Sequence, residues 1–180
     1  MIRNINDLQN ISANATEYYV LANDIDANET KSWNGGIGFL PIRNFMGTFD
    51  GQGHKITDIY IHRSSGNHVG VFSYIHNPAV LKNVRIEDAD VTGNTSVGSL
   101  LGSNIGGTVE NCSANGTVTG NNYSGGLVGT NAGLLTNSYT DGNVVGLVKE
   151  AGGLLGANNG TVKDSYSTAI VNGEMSVGGL

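Results

Sequence analysis

Cysteine is nearly absent: Cys112 stands alone, so no internal disulfide can staple this chain. Charge is scarce too, at 13% of residues with a formal net charge of −6, and no basic run occurs. That balance argues against nucleic acid and anionic membranes as partners. No apolar run approaches the ~18 residues a spanning helix needs. Met1-Ile2-Arg3 leads straight into polar residues rather than an apolar leader, so an exported protein would have its leader removed or encoded upstream. The four histidines, His54, His62, His68 and His76, lack the spacing of a zinc helix, and no HExxH occurs.

Glycine and asparagine fill the space, with 28 and 23 copies respectively. Both tolerate the left-handed backbone angles of tight turns. The glycines are periodic: VGSLLGSNIGG from Val97, SGGLVGTNAG from Ser124, AGGLLGANNG from Ala151 and VGGL from Val177 repeat one phrase, with a degenerate VGVFS from Val69. Gly70, Gly98, Gly125, Gly152 and Gly178 follow one another at 28, 27, 27 and 26 residues. A period in this range signals stacked supersecondary units.

Two further columns hold the same register. Val91, Val118, Val144 and Val171 form one; Leu81, Val109, Leu135 and Val162 form the other. Three apolar pieces per repeat, each closed by Gly, Asn or Asp, predict an all-β parallel β-solenoid with three short strands per coil of about 27 residues. Ile5, Leu8 and Ile11, with Asn4 as N-cap, predict a short capping helix over the open end. Tyr18 to Ile25 reads as a strand and Trp33 to Pro41 as a glycine-broken loop. Ile56 to Ile61 aligns position for position with Leu81 to Ile86. Residues 1–67 are then the cap and first coils, and 68–180 the repeat coils, in one continuous solenoid.

The phrases SGGLVGTNAG and AGGLLGANNG resemble the GLUG repeat of bacterial and archaeal surface proteins. The lead-in, YYVLANDID, MGTFDGQGHKITDIYI and HVGVFS, is similar to the segment that introduces such repeats. The resemblance covers nearly the whole chain. It implies a right-handed parallel β-helix on a secreted or surface-anchored polypeptide, often adhesin-like. Similar repeats accompany immunoglobulin A1-specific metallopeptidases; without an HExxH motif, their activity does not carry over.

The candidate functional residues follow from the columns. Asn83, Asn111, Asn137 and Asp164 share one turn in successive coils, and Asn104, Asn131 and Asn158 share another, so stacked amide ladders are expected. Arg85, Ser113, Tyr139 and Tyr166 form an outward column. Its tyrosines either shield the ladder, the preferred reading, or grip a sugar ring. Asp24, Asp26 and Asn28 resemble the first half of a calcium loop, but the sixth-position glycine is missing and Gly35 replaces the glutamate at the twelfth. Acidic residues at Asp50, Asp58, Glu87, Asp88 and Asp90 show no spacing that yields a two-carboxylate pair. Cys112 reads as a small buried residue, in a column with Val84, Ser138 and Ser165.

The expected role is a non-catalytic stalk or adhesive segment, extracellular, with a surface glycan or protein as partner and no cofactor beyond calcium. A carbohydrate-active β-helix and the repeat region of a larger metallopeptidase are the alternatives. Because Val177-Gly178-Gly179-Leu180 stops in mid-phrase, the natural protein is expected to run on, and the uncapped coil to pair end to end with another copy.

Overall fold

Asn4 sets the first element. Its side-chain oxygen accepts the Asp7 N–H at 2.8 Å and caps the helix Ile5–Gln9. Ile5, Leu8 and Ile11 turn inward and are buried, so this helix closes one end of an apolar interior. The computed structural model describes residues 1–180, which wind from that cap into a parallel β-solenoid of about six coils.

Each complete coil visits four strand ladders rather than three. One coil runs through Val80–Lys82, Arg85–Thr92, Thr95–Val97 and Leu101–Ile105. The next runs through Thr108–Glu110, Ser113–Gly120, Asn122–Gly125 and Val128–Asn131. All strand pairs are parallel, and the sequence columns are the ladder partners: Leu81 to Val109 to Leu135 to Val162, and Val91 to Val118 to Val144 to Val171. The extra ladder comes from the glycine phrase, which is a corner between two strands instead of one strand. Because Leu127 lies in that corner and Val128 begins the next strand, both point inward and both are fully buried.

The corner explains the glycines. Peptides there keep the intercoil ladder going through the bend: Ser99 N–H donates to Gly126 O at 3.3 Å, Gly126 N–H to Gly153 O at 3.0 Å and Gly153 N–H to Gly178 O at 3.1 Å. A Cβ on Gly125 would lie 2.5 Å from the Gly156 nitrogen of the next coil, and one on Gly98 2.7 Å from the Leu127 oxygen. No side chain fits where two coils approach backbone to backbone.

The lead-in differs from the sequence reading in two places. Ile56 pairs with Ile86 and Ile61 with Val91, so the Ile56–Ile61 segment stacks 30 residues from its partners, not the 25 that the apparent match with Leu81–Ile86 implied. Apolar alternation alone cannot distinguish the two registers, and Phe49, pairing with Leu81, takes the place that alignment gave to Ile56. Tyr18 to Ile25 is likewise two strands, Tyr18–Val20 and Ile25–Asp26, with a bend between them; a 3-10 segment, Asn28–Gly36, leads into the Trp33 loop, where Trp33, Asn34 and Gly35 break from helical angles.

The interior changes along the axis. All four phenylalanines, Phe39, Phe45, Phe49 and Phe72, are fully buried in the first coils, with Phe72 5.0 Å from Phe45 and 5.3 Å from Phe49 between ring centroids. The later coils are filled by Val and Leu. Asparagines line two turns outside this core. Asn104 Nδ2 donates to Asn131 Oδ1 and Asn131 Nδ2 to Asn158 Oδ1, both at 2.8 Å, while each amide also bonds the backbone of its own turn near Gly107, Gly133 or Gly160. Asn83, Asn111, Asn137 and Asp164 all adopt left-handed backbone angles, with φ of 55°, 51°, 49° and 47°. Their side-chain chain is shorter: Asn111 donates to Asn83 at 2.7 Å, Asn83 donates to Asp50 at 2.9 Å, and no amide bond continues it to Asn137.

Asp50 ends that chain. It also accepts from Gln52 N–H, from Tyr18 Oη and from Lys82 Nζ. Burial raises its pKa, but these donors outweigh burial and hold the carboxyl at about 2. A depressed carboxylate contributes stability above its unfolded pKa, near ~4, and loses it as pH falls toward the folded value. Denaturant unfolding followed from pH 5 to pH 2 should therefore show a loss of about 2 kcal/mol that is absent in Asp50→Asn. An identical pH slope in the variant would remove Asp50 from this role.

Gly125→Ala should destabilise by about 3 kcal/mol, because two backbones must part. Gly53→Ala, at φ 80° with nothing within 4 Å of the added Cβ, should cost only about 1 kcal/mol of left-handed strain. Urea unfolding of both variants checks the difference; equal losses would contradict the corner packing.

Candidate functional site

The outward column stacks as Lys55, Arg85, Ser113, Tyr139 and Tyr166, one residue per coil. Its basic end is tied down: Glu87 accepts from Lys55 Nζ at 2.8 Å and from Arg85 Nη2 at 2.7 Å. The ammonium hydrogen bond and its charge lower the Glu87 pKa, and Glu87 raises that of Lys55. On so exposed a face such pairs contribute little to stability. At the other end the rings of Tyr139 and Tyr166 lie 5.3 Å apart and within 8° of parallel. Ser113, the smallest member, leaves a notch of about 110 Å³ between Arg85 and Tyr139, floored by Asn83, Asn111 and Cys112. A π face beside a hydroxyl and a tethered guanidinium can stack on, and hydrogen-bond to, a flat polar ligand.

Asp24, Asp26 and Asn28 meet separate partners. The Asp24 carboxylate accepts from Lys55 N–H at 3.2 Å and contacts His54 Nδ1 at 3.0 Å; those two bonds, the backbone one first, lower its pKa. Asp26 accepts the Asn28 N–H at 2.8 Å in a local turn, and the Asn28 side-chain oxygen accepts from Lys31 Nζ. Nowhere does a group of three His, Cys, Asp or Glu side chains gather in a form that could hold a metal ion. The acidic Glu87, Asp88 and Asp90 are also drawn apart. Glu87 is in its ion pairs, while Asp88, at φ 52°, donates its N–H to Asn115 Oδ1.

The residue that sequence reasoning passed over is Asp50. It pairs with Lys82 in the first ladder, a step of 32 residues imposed by the longer first coil, and its carboxylate reaches across to the Asn83 amide, a convergence that the 27-residue period does not signal.

Residues 93–119 match the model of the GLUG motif. That stretch is a GLUG motif. The matched stretch is one coil's length, from the end of one Val-Thr-Gly strand to the end of the next, and includes the glycine corner, the Asn104 turn and the Asn111 turn. Among relatives, 126 residues are 40% identical to halomucin of Haloquadratum walsbyi, covering 65% of this chain. A further 86 residues, 44% of the chain, are 33% identical to a protein of Evansella cellulosilytica described as a Gly-rich membrane protein. The chain spans only 1% of the first relative's length and 10% of the second's. In architecture it is similar to a crystal structure from Bacteroides ovatus described as an immunoglobulin A1 protease, with a TM-score of 0.66 over 96% of this chain and 76% of that one. Identity there is 17%, so the likeness shows the fold alone.

Within the GLUG coils Cys112 occupies a serine position. It is buried, its N–H donates to Ser138 Oγ at 3.1 Å, and Ser138 N–H donates to Ser165 Oγ in turn. Burial pushes its thiol up to about 12, far from the thiolate that reagents attack. An aromatic disulfide reagent at pH 8 should leave the folded protein untouched and label one thiol in urea. Prompt labelling without denaturant would contradict this burial.

Proposed function

We propose that this chain is a rigid, non-catalytic segment of an extracellular surface protein, a spacer that holds binding surfaces away from the cell. The observation that carries the reading is the unbroken first ladder, whose six parallel strands run from Tyr18–Val20 to Thr161–Lys163 with no change of direction. Chain built this way resists bending, because every coil is hydrogen-bonded through both its strands and its corners to its neighbours. Similarity to a Gly-rich membrane protein and to halomucin supports a surface location. The Arg85, Tyr139 and Tyr166 face is the lateral surface best suited to a surface glycan or protein, and its stacked rings also cover the outer ladder at the less buried end of the solenoid.

Incubation of the purified chain with pectin, alginate, glycosaminoglycans and immunoglobulin A1 should release no product. Turnover that disappears in Asp88→Asn would overturn the spacer reading in favour of an enzyme.

A further inference from the structure

The chain is acidic, with 15 Asp and Glu against 9 Lys and Arg, yet one cavity gathers two arginines with no acid in its lining. A cavity of about 250 Å³ opens where the Pro41 segment meets the turn after Ile61, and its walls include Arg43, Arg63, Ser64, Asn67 and His68. None of the four ion pairs in the structure involves either arginine. Arg63 is held by its Nε, which donates to Phe39 O at 3.3 Å, while its backbone N–H is fixed to Thr92 O at 2.9 Å. That anchoring leaves both terminal nitrogens of the guanidinium without a protein acceptor. Burial, and then repulsion from Arg43, lower the pKa of Arg63, so the two cations sense each other across the cavity. The lowering still leaves the Arg63 guanidinium charged at neutral pH.

Two unpaired guanidinium groups lining one cavity, one of them partly desolvated, form a fork for a planar or tetrahedral oxyanion. The rest of the lining is not that of a simple ion site. Leu40 and Ile37 present apolar surface at the rim, 44% and 43% exposed, and Leu40 is fixed at both backbone groups by the Gln9 side chain. Hydroxyls of Ser64 and Ser65 and the Asn67 amide face the same space. An apolar shelf, several hydroxyl partners and an anion fork in a volume of this size match one pyranose ring carrying a negative group. We infer that this cavity binds an acidic saccharide, a sugar bearing a carboxylate or a sulfate. This inference stands apart from the spacer reading, since it uses the first coils only and would hold whatever the later coils present.

The test is a titration of the ¹⁵N-labelled chain at low ionic strength, reading the backbone amides of Ser64 to His68 and the Nε–H of Arg63. The probes are glucuronate, glucose 6-sulfate, glucose and inorganic sulfate. The expected result is saturable shifts with either acidic sugar, none with glucose, and binding of inorganic sulfate at least about tenfold weaker. Arg63→Gln and Arg43→Gln should each weaken glucuronate binding about tenfold or more, as expected when one charge-assisted hydrogen bond is lost. Lys163→Gln, exposed on a strand of the later coils, should leave it unchanged. Arg43 is exposed, so its variant keeps the test readable if Arg63→Gln folds poorly. Equal shifts with glucose, equal affinity for inorganic sulfate, or undiminished binding in Arg43→Gln with native spectra would each overturn the inference.

Discussion

The structure depends on backbone meeting backbone at the glycine corner. A parallel ladder is easily kept along a straight strand, but at a bend the peptides normally turn their hydrogen-bonding groups away from the next coil. Here they do not: Leu100 and Leu127 donate to Leu127 O and Leu154 O, both at 3.1 Å, while the neighbouring glycine peptides stack beside them. That geometry leaves no room for a Cβ at Gly98, Gly125 or Gly152. It also holds the corners in line although coil length varies by a residue: Val69, Val97, Ser124, Ala151 and Val177 are successive ladder partners at steps of 28, 27, 27 and 26, so the turns between ladders absorb the difference. The valine and leucine columns keep their inward register through the same adjustment.

Polar groups at the other turns are satisfied by the same stacking logic. Asn104 and Asn131 each spend one side-chain donor on the next coil, Asn158 accepts at the end of the row, and all three also bond their own turns, so the amide row has few open groups. The Asn83 row works differently. Its two amide links run toward Asp50, and a carboxylate at the acceptor end strengthens a chain of aligned amide dipoles. The rows end where the repeats give way to a phenylalanine-filled lead-in, whose coils are longer and less regular. A rigid repeat body joined to an individual first section accounts for where the molecule keeps its variety: the cap, the Asp50 hub and the arginine-lined cavity all belong to the first coils.

Much of the fold was legible because stacking writes itself into sequence as a period. Gly125, Val118 and Asn131 each have a counterpart about 27 residues away in both directions, and each counterpart is a ladder partner in space. The helix cap was legible for a local reason, since Asn4 and the spacing of Ile5, Leu8 and Ile11 need no tertiary context. What failed was the part without a period. Ile56 to Ile61 offered two plausible alignments, and only the phenylalanine packing around Phe49 decides between them. The fourth ladder was hidden because Leu127 and Val128 are adjacent and apolar, which defeats a two-residue alternation. His68, Ser96, Tyr123 and Ser176 take left-handed angles without being Gly or Asn, so that turn carried no signal. The convergence of Arg43 and Arg63, twenty positions apart in an irregular stretch, had none either.

The most direct test of the stacked register is a set of distances along the first ladder. Tyr18 and Thr161 are both exposed and lie five rungs apart, and buried Cys112 should escape labelling. Spin labels on cysteines placed at Tyr18 and, in turn, at Thr108, Leu134 and Thr161 report the separations by pulsed electron resonance. Parallel coils in register predict a distance that grows by a constant ~4.8 Å per coil, reaching ~24 Å for the last pair. Separations that do not rise in equal steps with coil number would contradict a solenoid in which each glycine corner rests on the next.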